Sequence, residues 1–137
     1  MGPSGAGKDS ILDRARVLTL PGTPVVFAHR YITRPAEAGG ENHVALSRAE
    51  FETRRRQGLF AFHWQAHGNA YAIGAEIHRW RELGLCVVVS GSREHFLQAG
   101  GIDDGTVPVL ITAPAERLAA RLAQRGREDM GAAQARL

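Results

Sequence analysis

Gly2-Pro3-Ser4-Gly5-Ala6-Gly7-Lys8-Asp9-Ser10 is the stretch on which the reading of this chain turns. A glycine, four residues, then Gly7-Lys8 is the spacing of a phosphate-binding loop that opens a helix. Glycines let the backbone aim several N–H groups at one point, and the start of the next helix adds its own unpaired donors. Together they make a cradle for an anion. Lys8 is the only lysine among 17 basic residues, and it falls where such a loop needs one to reach β- and γ-phosphates. Gly2, Pro3, Ser4, Gly5, Ala6, Gly7, Lys8, Asp9 and Ser10 are therefore the expected contacts to ATP. After Gly-Lys the usual residue is a serine or threonine that ligates Mg2+, but here it is Asp9, with Ser10 one place later. Two readings stand: Ser10 supplies the hydroxyl, or Asp9 holds Mg2+ through water.

Outward from the loop, Ile11, Leu12, Ala15 and Leu18 give Gly7 to Leu18 a helical period, which Pro21-Gly22 ends. Val25 to Ala28 reads as a strand. Ser47-Arg48-Ala49-Glu50 is a capping box opening a helix that runs to about Gln57, with Gly58 at its end. Leu59 to Trp64 reads as strand, and Gly74 to Leu83 as a helix stopped by Gly84. Leu85 to Val89 and Val107 to Thr112 are near-continuous apolar runs, the mark of strands covered on both faces. In the first of these Cys86 reads as a small buried residue. Pro114 then opens a helix with Leu118 and Leu122 on one face. Strands alternating with helices predict a single α/β domain over residues 1–137, a P-loop fold with a parallel central sheet flanked by helices. Ligands of such sheets lie beyond the carboxyl ends of the strands. Only Met1 stands before Gly2, where a strand ordinarily leads into the loop, and Leu137 falls within a helical pattern. The expectation is a domain truncated at both ends.

Composition agrees with a soluble globular chain: 44% hydrophobic, 23% charged, net charge +3. No run approaches the roughly 20 apolar residues that cross a bilayer, and no leader is visible, so the chain reads as cytoplasmic with no membrane partner. One cysteine forms no internal disulfide. The arginines are scattered and not interleaved with aromatics, which argues against nucleic acid. His63 and His67 lack the intervening glutamate of a zinc helix pair. Trp64 and Trp80 read as core or interface, and Arg54-Arg55-Arg56 as a solvated helix face.

With these residues in view, the chain resembles the ribose 1,5-bisphosphate phosphokinases, a family within the guanylate-kinase-like P-loop kinases. The likeness rests on the loop itself, on His29-Arg30-Tyr31-Ile32-Thr33-Arg34-Pro35 and Gly40-Glu41-Asn42-His43, and on His67-Gly68-Asn69-Ala70-Tyr71. It continues through Val89-Ser90-Gly91-Ser92-Arg93 and Arg121-Leu122-Ala123-Gln124-Arg125-Gly126-Arg127-Glu128. It implies ATP- and Mg2+-dependent phosphorylation of a small sugar phosphate, ribose 1,5-bisphosphate, to 5-phosphoribosyl 1-diphosphate, within phosphonate breakdown. It also implies an acceptor-binding insertion over about 29–84 and a lid over about 121–130.

The resemblance assigns Lys8, Arg34, Arg125 and Arg127 to catalysis and Arg121 to ATP. Arg30, Arg34, Glu41, Gln65, Tyr71 and Ser92 are then the acceptor contacts. Guanylate kinase keeps a second arginine after Thr-Arg-Pro, a tyrosine and a guanine-reading glutamate. Ala36 to Ala38, His43 and Gln65 stand in those places here, so phosphate-binding parts are retained and base-reading parts changed. A phosphate oxygen is already ionised near neutral pH, so transfer to it needs positioning and charge neutralisation and no general base. A guanylate-type kinase, an inactive P-loop relic and a basic nucleic-acid binder are the competing readings.

Overall fold

The structure, a computed structural model, describes residues 1–38, 41–98 and 105–124. In chain order the elements are α1 (Lys8–Leu18), β1 (Val25–Phe27), β2 (Arg30–Ile32), β3 (Val44–Ala45), α2 (Arg48–Arg56), β4 (Phe60–Ala66), β5 (Asn69–Gly74), α3 (Glu76–Glu82), β6 (Cys86–Val88), α4 (Arg93–Gln98) and α5 (Ala115–Gln124). A 3-10 turn, Ala36–Ala38, follows β2. Two compact units divide the chain: Met1–Arg14 with Gly91–Leu137, and Ala15–Ser90.

The second unit holds both sheets. β1 and β6 pair in parallel, Val25 with Cys86 through Phe27 with Val88. The other sheet runs β3-β2-β5-β4, with β5 antiparallel to both neighbours. His67 and Gly68 join β4 to β5, both at positive φ (52° and 75°). A two-residue turn of that handedness matches the twist of the flanking strands, and glycine takes it without steric cost. α2 starts as its sequence predicts: Ser47 Oγ accepts from Glu50 N at 3.1 Å.

Strand alternation gives the four-stranded sheet two different faces. On one, Phe51 of α2 packs with Ala70 and Ala72, and Tyr31, Leu46 and Phe60 close around them. On the other, Ile73 joins Ala28 and Ile77, with Phe62, Trp64, Trp80, Val87 and Val89 packed against them. Both tryptophans are partly buried and pack against this core. The period of two also decides Cys86. Val87 and Val89 point to the core, so Cys86 points away and is exposed rather than buried.

The first unit carries the glycine-rich loop, the first turns of α1, α4 and α5. Here one expectation fails: Val107 to Thr112 belongs to neither sheet. Met1 N donates to Val109 O and Ile111 N donates to Met1 O, both at 2.8 Å. Val107 is 82% exposed, so this apolar run is not a strand covered on both faces. α1 forms over the expected residues, but none is buried and its apolar Ile11 and Leu18 stay exposed.

Candidate functional site

In the first unit the loop has the form its glycines permit. Gly2 adopts φ +153°, and a Cβ there would lie 2.1 Å from Ile111 O, so no side chain fits. Gly7 adopts φ +88° at the helix entrance. Ala6 is buried, and α1 begins at Lys8 with Ile11 N donating to Gly7 O at 3.0 Å. The Lys8 ammonium donates to Gly2 O at 2.9 Å and to Pro3 O at 2.8 Å, which folds the side chain back over the loop. Arg121 of α5 comes to the same place, its Nη1 donating to Gly5 O at 3.1 Å. Of the residues expected to surround ATP, Gly2 to Ser10 and Arg121 are thus gathered in one unit. Asp9 and Ser10 lie in the first turn of α1. Among the described residues, no group of three His, Cys, Asp or Glu forms a metal cage. A lone hydroxyl or carboxylate beside a phosphate cradle is nonetheless a donor set that suits Mg2+, which binds through few protein oxygens plus nucleotide phosphates.

The second unit gathers most of the expected acceptor residues. Arg30 on β2 makes a forked pair with Glu41, its Nε 2.6 Å from Oε2 and its Nη2 on Oε1. Arg34 Nη2 stands 3.8 Å from the same Oε1. One carboxylate therefore serves two guanidinium groups, with side chains only 12–19% exposed. His43, 8% exposed, braces the loop: Nδ1 lies 3.1 Å from Glu41 O and Nε2 lies 3.0 Å from Arg34 O. Thr33 Oγ1 accepts from Ala70 N at 2.8 Å and extends the β2–β5 ladder to the base of Arg34. Tyr71 sits inside this arrangement, stacked on Trp64 (5.5 Å between centroids, 8° between planes), with the Arg30 guanidinium 5.4 Å from its ring centroid.

Gln65 does not join them. It pairs with Ala70 on β5, one position out of phase with Trp64 and Tyr71, so its side chain lies on the opposite face and is exposed. Ser92 has a local task, since its Oγ accepts from His95 N at 3.4 Å at the start of α4. Arg54 and Arg55 pair with Glu50 and Glu52 along the exposed side of α2. Arg125 and Arg127, and most of the expected lid, lie outside the described residues. The bracing role of His43 had no local signal, because its partners are backbone carbonyls brought to it by the loop.

No protein-family model matches the chain, and among the described residues no helix is long and apolar enough to cross a membrane. A crystal structure of guanylate kinase from Anaplasma phagocytophilum is similar over 98% of this chain and 67% of its own, with TM-score 0.66 and 17% identity. That likeness shows the fold: α/β, P-loop, of the nucleoside-monophosphate-kinase type. The chain is 58% identical over 137 residues to "Ribose 1,5-bisphosphate phosphokinase PhnN" of Desulfomicrobium baculatum, covering 100% of this chain and 73% of that protein. A protein of the same name from Yersinia pestis is 54% identical over 138 residues, with 100% and 70% covered. One from Laribacter hongkongensis is 57% identical over 137 residues, with 100% and 33% covered. Identity of this extent over the whole chain places it in the ribose 1,5-bisphosphate phosphokinase PhnN family.

Proposed function

We propose that this chain transfers the γ-phosphoryl group of ATP to the 1-phosphate of ribose 1,5-bisphosphate, giving 5-phosphoribosyl 1-diphosphate and ADP. The observation that carries this reading is the 58% identity over the full chain to a kinase of that name. A bond forms between an oxygen of the 1-phosphate and the γ-phosphorus, and the bond from that phosphorus to the ADP oxygen breaks. The acceptor oxygen is already ionised, so no protein base has to take a proton. The work left to the protein is to place charge and exclude water.

Lys8 and the loop N–H groups from Ser4 to Asp9 would hold the β- and γ-phosphates, and Arg121 steadies the loop through Gly5. Mg2+, when bound, would offset charge on the phosphates, with Ser10 or Asp9 as its protein oxygen. Arg30 and Arg34 would hold the acceptor, with Glu41 fixing their forks and Tyr71 backing Arg30. Arg125 and Arg127 are proposed for the transferring phosphoryl group. We assign the reaction to phosphonate breakdown in the cytoplasm.

Phosphorus-31 NMR of the chain with Mg-ATP and ribose 1,5-bisphosphate, beside a tube containing GMP, tests the reading. A new diphosphate signal in the first tube alone is expected, and Lys8→Met should slow its growth by about 10²-fold or more. Faster turnover of GMP would overturn the assignment in favour of a guanylate-type kinase.

A further inference from the structure

Within the second unit a cavity of about 420 Å³ opens between Thr33, Arg34 and Pro35 on one wall and Ala45 to Arg48 on the other. That is within the usual range for small-molecule sites. Its lining residues include two arginines, Arg34 and Arg48, and neither an acidic residue nor an aromatic one on which a base would stack. Its hydroxyls are spoken for in part: Thr33 Oγ1 accepts from Ala70 N, and Ser47 Oγ accepts from Glu50 N. Arg48 is held from behind, its Nη2 donating to Gly68 O at 2.9 Å across to the β4–β5 turn. A guanidinium fixed at one corner keeps its remaining donors in a planar fork, the geometry that matches a phosphate.

The Arg30–Glu41–Arg34 cluster, which shares Arg34 with the cavity, contains a carboxylate, so its two positive charges are half offset, and Arg48 is the cation that the cavity adds. An acceptor bearing two phosphates needs a second anion place. Only its C1 phosphate reacts. The other must be bound firmly and left alone.

We propose that the cavity is the subsite for the non-reacting phosphate of a sugar bisphosphate, gripped between Arg34 and Arg48, with Arg48 the residue that selects for it. This rests on the reading of ribose 1,5-bisphosphate as acceptor. Ribose 5-phosphate, which has that phosphate and lacks the reactive one, is the probe. Calorimetry with the whole chain should show it binding. Arg48→Gln should weaken it by about tenfold or more, the loss expected for one charge-assisted contact, with Arg48→Lys recovering part. Ala45→Asp, which sets a carboxylate into the wall at an exposed strand position and leaves Arg48 in place, should weaken it similarly. In turnover, Arg48→Gln should raise the KM for ribose 1,5-bisphosphate and leave kcat and the KM for ATP unchanged. Equal binding of ribose 5-phosphate by wild type, Arg48→Gln and Ala45→Asp would overturn the subsite, as would no binding to wild type. Arg48-dependent binding without turnover of ribose 1,5-bisphosphate would uphold the subsite and remove the kinase assignment. An unchanged KM for ribose 1,5-bisphosphate in an active Arg48→Gln would do the reverse.

Discussion

Replacing Arg30 by methionine would strand the Glu41 carboxylate. Both side chains are 12% exposed, and the remaining cation, Arg34, stands 3.8 Å away, beyond hydrogen-bond reach. Breaking a fully buried pair by removing one partner costs about 3–5 kcal/mol. Residual exposure and the nearby Arg34 lower the figure, so we expect about 2–3 kcal/mol for Arg30→Met. Glu41→Gln keeps an oxygen that can accept one of the two bonds and should cost about 1 kcal/mol. In the double variant neither stranded charge remains, so the two losses should not add, and the coupling should reach about 1–2 kcal/mol. The assay is the denaturant midpoint of all four proteins at constant slope. The same variants carry a functional reading: Glu41→Gln should raise the acceptor KM, since Arg30 loses what fixes its fork, and leave the KM for ATP unchanged. A coupling under about 0.5 kcal/mol would show that the pair is an exposed, dispensable contact and would refute the reasoning.

Gly2→Ala would drive a Cβ to 2.1 Å from Ile111 O, so calorimetric Mg-ATP binding should be lost, whereas Gly22→Ala, with φ +84° and nothing within 4 Å, should bind normally. Equal binding by both would deny the loop its steric role. Phe51→Ala empties a side chain 2% exposed whose ring lies 4.8 Å from that of Phe60, and should cost about 3–5 kcal/mol in a denaturant melt. Burial first, and then the Glu76 carboxylate 3.3 Å away, holds the Tyr31 hydroxyl above the tyrosine value of 10.0. The folded chain keeps a proton that the unfolded chain releases, so this contribution is complete below pH 10 and falls as pH rises past it. Melts of wild type above pH 10 should therefore decline more steeply than those of Tyr31→Phe, and parallel declines would contradict this.

What could be read from the residues alone is what short-range physics decides. The loop from Gly2 to Ser10 and the helix after it are contiguous, so their spacing carries the phosphate cradle without help from the rest of the chain. Ser47 and Glu50 meet within one turn, and the α2 N-terminus forms where the capping box predicts it. The grouping of Arg30, Arg34, Glu41 and Tyr71 was anticipated through family likeness, whereas their hydrogen bonding was not.

Tertiary structure decided the rest. β2 is three residues long and begins with arginine, and it becomes a strand only because β5, some forty residues on, pairs with it. That pairing sets which side chains share a face: it puts Tyr71 beside Trp64 and Arg30 and turns Gln65 to the other side. Arg121 reaches Gly5 across 116 positions of sequence. Cys86 and Val107 show the same limit from the opposite direction. An apolar run predicts a covered strand, but cover comes from neighbours that the run does not contain. Local spacing determines how the backbone of a loop or a helix end is satisfied, because its partners are a few residues away. Which face a side chain occupies, and what meets it there, depends on register between distant strands.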